Sequence, residues 1–155
     1  MLSKKSYYAL KALLALGKAN ATQNNPMLIK SIIQTNHFPR KFIEAILVDL
    51  KQTGIVSSKM GKGGGYYLSK SPEDIKIGSI IRTLDGPLAL IPCVSKTAYE
   101  MCSHCGNENI CSIRLLFKEV RDKTAELLDN TSLKTLMDQE KSLELIHSKG
   151  LHYVI

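Results

Sequence analysis

The stretch Lys59-Met60-Gly61-Lys62-Gly63-Gly64-Gly65 limits the fold more than any other feature of this 155-residue chain. Only glycine enters the left-handed backbone region without steric cost, so four glycines within five positions demand a tight reversal. Short extended runs flank it, Ile55 to Ser58 and Tyr66 to Leu68, and together they read as a hairpin. Three helical patterns precede it. From Ser3 to Ala19, Leu10, Leu13, Leu14 and Leu16 recur at helical spacing, with Lys4, Lys11 and Lys18 on another face. Asn20 to Pro26 reads as a loop, followed by a short helix from about Met27 to Thr35. Pro39 suits the first position of a third helix, which runs to about Thr53 and stops at Gly54. Its inward row is Phe42, Ile46 and Leu50, flanked by Ile43 and Leu47. Helix, helix, turn, helix, hairpin is the order of a winged helix-turn-helix. The predicted class is mainly α with a small β-hairpin wing.

Beyond the wing, Ile77, Ile80, Ile81 and Leu84 mark an amphipathic helix ended by Gly86-Pro87. Residues 92–111 hold no sustained period and read as a loop. From about Ser112 to Leu128, the stripe Ile113, Leu116, Phe117, Val120, Thr124 and Leu127 marks a long helix that is charged on its other side. After Asn130, Ser132 is placed to cap a further short helix.

Charge separates the two halves. Residues 1–70 hold 11 Lys/Arg against 2 Asp/Glu, a net +9, whereas residues 71–155 hold 10 against 12, a net −2. A basic front half faces a polyanion, either nucleic acid or an anionic membrane surface. The membrane is disfavoured, because no basic amphipathic helix carries the aromatic face such binding needs. No apolar run approaches the roughly 20 residues of a spanning helix, and the N-terminus lacks the apolar core of a secretory signal. A cytoplasmic protein is expected. The histidines His37, His104, His147 and His152 are scattered and no nucleophile–base pattern is readable, so an enzyme is not expected.

The segment Ser57-Ser58-Lys59-Met60-Gly61-Lys62-Gly63-Gly64-Gly65-Tyr66-Tyr67-Leu68 is specific, as is Leu2-Ser3-Lys4-Lys5-Ser6-Tyr7-Tyr8-Ala9-Leu10. With Leu84-Asp85-Gly86-Pro87 and the cysteines that follow, residues 1–130 resemble the IscR/NsrR/CymR family of bacterial winged-helix regulators. The resemblance implies a homodimer joined through the long helix and bound to a palindromic operator in double-stranded DNA. The chain then divides into a DNA-binding domain (1–72), linker helix (73–91), cysteine-rich sensor loop (92–111), dimerisation helix (112–130) and C-terminal tail (131–155).

A recognition helix enters the major groove by its first turns, here Arg40, Lys41 and Glu44. Arg40 and Lys41 suit phosphate or guanine, and Glu44 suits a cytosine amine. Glu44 also matches a base-reading Glu of IscR-like members. The wing supplies the second set of contacts, Ser57, Ser58, Lys59, Lys62, Gly63, Gly64 and Tyr66, in which bare glycine backbone allows close approach to phosphate. IscR-like members carry Arg where this chain has Met60. Lys4, Lys5 and Tyr7 lie at the start of the first helix, next to the DNA backbone on this reading.

All four cysteines fall in one loop, as Cys93-x8-Cys102-x2-Cys105-x5-Cys111. In a reducing compartment this argues for metal or redox chemistry over structural disulfides. Soft thiolates suit an iron–sulfur cluster, a tetrahedral zinc site or a reversible disulfide between neighbours such as Cys102 and Cys105. In IscR-like and NsrR-like members three cysteines of this loop hold an iron–sulfur cluster with a non-cysteine fourth ligand, and Cys105-x5-Cys111 matches their spacing. Here the His of IscR-like members is Arg114, the Asp of NsrR-like members is Tyr7, and Cys102 is additional. On this resemblance Cys102 would be the replacement fourth ligand in an all-cysteine site; tetrahedral zinc on the same four thiolates and a reversible disulfide stay open.

Overall fold

The computed structural model describes residues 2–23, 26–36 and 38–148. Its first helix, α1 (Lys4–Gln23), starts where the Ser3 hydroxyl accepts the Ser6 N–H at 3.0 Å, a side-chain N-cap. Ala9, Ala12, Leu13 and Leu16, spaced three and four apart, are at most 1% exposed, while Leu10 and Leu14 are only half-buried. The two alanines let neighbours come close, and α1 packs against four further helices and the second strand of the wing. The helix also continues through Asn20 to Gln23, expected above as loop, since no proline interrupts it before Pro26.

Helix α2 (Ile29–Asn36) contributes the fully buried Ile32. In α3 (Arg40–Gln52), Pro39 is the N-cap in an extended conformation, one place earlier than expected. Ile43, Ile46, Leu47 and Leu50 form the buried stripe. Phe42, expected to point inward, is 39% exposed, because the stripe is centred on Ile43 and Leu47. Thr53 closes the helix, followed by Gly54 at φ 68°. Strands β1 (Val56–Lys59) and β2 (Gly65–Leu68) pair antiparallel, with Val56 opposite Leu68 and Lys59 opposite Gly65. The architecture is the winged helix-turn-helix expected from the sequence.

Helix α4 (Ile77–Asp85) buries Ile77, Ile80 and Ile81 and ends at Gly86. Two short 3-10 turns, Pro92–Val94 and Glu108–Ile110, punctuate the cysteine loop. Then come α5 (Ser112–Asn130) and α6 (Leu133–Ser148). In place of a short helix beyond Asn130, α6 has 16 residues. Ser132 caps it by accepting the Thr135 N–H at 3.1 Å. Its first residue, Leu133, is fully buried in the core, and Met137 lies against Gly17 of α1. Lys18 bridges Glu140 and Glu144 at 3.3 and 3.0 Å. The start of α6 is also sewn to the start of α4, since Ile77 N–H donates to Thr131 O (3.0 Å) and Leu133 N–H to Ile75 O (2.8 Å).

Two polar joints fix α4. At its C-terminal end Asp85 accepts the Ser3 N–H at 3.0 Å and the Ser3 hydroxyl at 2.5 Å, closing α4 onto the start of α1. Along its length, Arg82 makes a bidentate pair with Asp129 of α5, at 2.6 and 2.9 Å. Gly78 makes room for this pair, because a Cβ there would fall 2.0 Å from Asp129 Oδ1.

Gly78→Ala is therefore expected to turn the Asp129 carboxylate away and break its pair with Arg82, a loss of about 1 kcal/mol or less that alanine's better helix propensity offsets, so urea denaturation should show a net change within about 1 kcal/mol. Asp85 supplies a pH-dependent contribution. Burial pushes its carboxyl up, but the hydrogen bonds from the Ser3 hydroxyl and N–H lead the effects that outweigh this and hold it below the ordinary 3.8. A lowered carboxylate stabilises the fold fully above its ordinary value and loses that effect as pH falls through the lowered one. Asp85→Ala should melt below the wild type at pH 7, and thermal melts should show the gap closing below about pH 4.

Candidate nucleic-acid interface and thiol loop

The first turn of α3 projects into solvent. Arg40 has a 72% exposed side chain, Lys41 is exposed, and Glu44 accepts from Arg40 Nε at 2.8 Å one turn on. An ion pair this exposed adds little to stability, so both partners are free to exchange it for groups on a ligand. The unpaired N–H groups at the start of a helix add a partial positive charge that favours phosphate.

An aromatic cluster holds the start of α1 against this turn. The Tyr8 ring packs 4.6 Å from Phe38 and edge-on to Phe42 at 5.5 Å. Lys5 reaches Asp49 of α3 at 2.8 Å, so its charge is already engaged within the protein. Lys4 is exposed and Tyr7 is half-exposed. The sequence pattern did not reveal this clamp, although the neighbouring aromatics Tyr7-Tyr8 and Phe38-x3-Phe42 carry its signal.

The wing divides its residues between support and display. Ser57 shares a hydrogen bond with Ser69 (2.7 Å), and Ser58 accepts from Lys51 Nζ of α3 (2.8 Å). Tyr66 is half-buried against the core, and its backbone pairs with Met27 through bonds of 2.8 and 2.9 Å. Gly64 is buried where a Cβ would meet the Lys59 carbonyl oxygen at 2.4 Å. Lys59, Met60, Lys62 and Gly63 are exposed. Lys4, Arg40, Lys41, Lys59 and Lys62 are thus displayed by α1, α3 and the wing, and Lys30 and Lys70 of the same half are exposed as well.

The cysteine loop is anchored to α5 by two arginines that sequence reading did not single out as anchors. Arg114 Nε donates to Cys93 O at 3.3 Å and pairs with Glu108 at 3.4 Å, and Arg121 donates to Val94 O. Tyr99 donates to Glu108 at 2.6 Å, and this bond raises the Tyr99 pKa. Cys111 is the N-cap of α5, its Sγ accepting the Arg114 N–H at 3.4 Å. That N–H lowers the Cys111 pKa against the opposing effect of burial, with smaller help from Cys105, the Ile113 N–H and the Arg114 charge. Cys105 moves the other way, raised by burial and by donating to Cys111, with the charge of Cys102 adding to the rise. Cys93 is buried on the first 3-10 turn.

The donors suit iron–sulfur or zinc in kind, being soft thiols gathered on one loop. Among the described residues, however, no group of three His, Cys, Asp or Glu side chains is preassembled to hold an ion. Cys105 and Cys111 are near enough for each thiol to influence the other's ionisation. His104 is exposed, His37 and His152 lie outside the described residues, and no described helix is long and apolar enough to cross a membrane.

Comparison with known proteins fits this geometry. Residues 2–139 match the Rrf2 family model, described as an iron-dependent transcriptional regulator. The chain is 39% identical over 138 residues to an rrf2-like HTH-type transcriptional regulator of Rhodobacter capsulatus, covering 88% of this chain and 92% of that one. It is 31% identical to the HTH-type transcriptional regulator CymR of Bacillus subtilis, covering 87% and 88% of the two chains. Its identity to the transcriptional regulator IscR of Vibrio cholerae is 27%, covering 99% and 84%. The solved structure of Bacillus subtilis CymR, titled the global cysteine regulator, superposes with a TM-score of 0.74 over 90% of this chain and 97% of that one. With a winged helix-turn-helix carrying its displayed cations and a family model spanning nearly the whole fold, the chain belongs to the Rrf2 family of transcriptional regulators.

Proposed function

We propose that the protein is a homodimeric, cytoplasmic regulator that binds a pseudo-palindromic operator and reports redox or iron–sulfur status through its four-cysteine loop. The observation that carries the DNA-binding half is the displayed first turn of α3, where Arg40, Lys41 and Glu44 stand clear of the core. Their chemistry suits the major groove: Arg and Lys for guanine or phosphate, Glu for a cytosine amine. Lys59, Lys62 and Gly63 of the wing, with Lys4 and Tyr7 of α1, suit the flanking backbone. Lys5, Ser57, Ser58, Gly64 and Tyr66 support this surface from within.

The dimer is supported by α5, none of whose residues is buried in the single chain. Ile113, Leu115, Leu116 and Leu127 are 58–70% exposed, more apolar surface than a helix leaves open to water without a partner. A second copy related by a two-fold axis covers it and sets two recognition helices for two half-sites.

For sensing, Cys93, Cys102, Cys105 and Cys111 would hold an iron–sulfur cluster, which when bound supplies sensitivity to oxidants and nitric oxide. The protein's own part is to anchor the loop to α5 through Arg114 and Arg121, so that a change in the loop reaches the dimer helix. The proximity of Cys105 to Cys111, close enough for their ionisations to be linked, favours a second reading, a disulfide between these two thiols. In that case a hydroperoxide takes two electrons and two protons from the pair and leaves as water and an alcohol.

Selection from random duplexes should return a two-fold motif bound with nanomolar affinity that weakens steeply with salt. No enriched motif would overturn the DNA-binding reading. Leu116→Asp should give a monomer in sedimentation and lower operator affinity at least tenfold. Iron and acid-labile sulfide in anaerobically isolated protein would support the cluster. Metal-free protein that gains a Cys105–Cys111 cross-link on oxidation, seen by peptide mass, would support the disulfide. Unchanged operator affinity after all four cysteines become serine would refute sensing by the loop.

A further inference from the structure

Met60 is the most exposed large apolar residue among those described, at 93%. A single apolar side chain at a surface is ordinary. What sets this one apart is the support beneath it. Strand pairing ends at Lys59 opposite Gly65, leaving Met60 to Gly64 as the tip. The tip is folded back on itself, with Gly64 N–H donating to Gly61 O at 2.9 Å and with Gly61 and Gly63 at φ 91° and 78°. There is no slack at Gly64, since a Cβ there would lie 2.4 Å from one carbonyl oxygen and 2.8 Å from another. Below the tip, the arm is fixed by the paired backbones of Met27 and Tyr66, by Lys51 to Ser58, and by Leu68 in the core. The braced arm thus carries Met60 outward at its tip, with lysines at positions 59 and 62 on either side.

An apolar, unbranched, polarizable side chain between two cations matches the cross-section of a duplex groove. Phosphates line the groove's rims, while sugars and base edges form its walls and floor. The minor groove, about 6 Å wide, admits a hairpin tip and a single side chain of this shape. Methionine is among the residues that wedge against base steps there, and its contact is made by shape and van der Waals attraction. Having no donor, it reads groove width and the ease of unstacking, not a hydrogen-bond pattern.

Resting on the DNA-binding reading above, we propose that Met60 is a specificity-determining contact. It packs in the minor groove flanking each half-site while Lys59 and Lys62 hold the phosphates on either side. Flexible pyrimidine–purine steps at the positions facing the wing should then be favoured over stiff ones.

The test uses the full-length protein and its selected operator, with affinity measured across a salt series for the wild type, Met60→Ala, Met60→Leu and Lys62→Ala. Met60→Ala should weaken binding about tenfold at every salt concentration and leave the slope of log affinity against log salt unchanged, because methionine neutralises no phosphate. Its preference between operators differing only at the wing-facing steps should vanish, and Met60→Leu should restore most of both effects. Lys62→Ala should instead flatten the slope by about 0.9 in each protomer's share. Wild-type affinity and unchanged flank preference for Met60→Ala would overturn the inference while DNA binding stood. A wild type that bound no duplex would overturn the underlying reading and this inference with it.

Discussion

The fold depends on one narrow stripe of α1. Ala9, Ala12, Leu13 and Leu16 are sealed from water, and five other elements converge on that helix. Alanine at two of the four positions keeps the helix slim where it is most crowded. A larger residue there would meet several neighbours together, so strain at one contact would not be relieved by moving a single element. The same stripe gives the interface its geometry. α1 carries Lys4 and Tyr7 at one end, braces α3 through Tyr8 and Asp49, and takes α6 along its later turns through Gly17 and Lys18. Displayed cations on different elements keep fixed separations because one buried helix holds their supports.

Much of the fold was legible because its punctuation is strong. The glycine cluster, Pro39, Gly54 and Gly86 each impose a backbone event that tertiary context does not override, and the elements around them stand where those residues require. Phe42 was less legible. At its spacing it belongs equally well to an inward row, and only the position of Tyr8 and Phe38 draws it toward the edge. The length of α6 was hidden for a related reason: its periodicity is weak, and what fixes it is contact with α1 across more than a hundred residues of sequence. Among the site residues, identity announced the charged ones, but only coordinates separate Lys5, held by Asp49, from Lys4, which is not so held.

Two halves of opposite character meet at α4. Its apolar face belongs to the winged domain, while Arg82 belongs to a bidentate pair with α5. Helices joined in this way move as a body, and Gly78 brings them so close that the pair has little freedom to slide. The pair of Arg82 with Asp129 is thus a short link between α5 and the winged domain. The loop between them is drawn to α5 by Arg114 and Arg121, so it is tied to the helix that carries the exposed apolar stripe.

Cys111 occupies a place normally given to serine, threonine or aspartate, the residue whose side chain satisfies the first free amides of a helix. Sulfur is the weaker acceptor, and unlike those oxygens it is also a nucleophile. The sulfur that steadies the opening turn of α5 is thus also the atom that an electrophile, oxidant or metal would meet. Helix cap and thiol share a single atom.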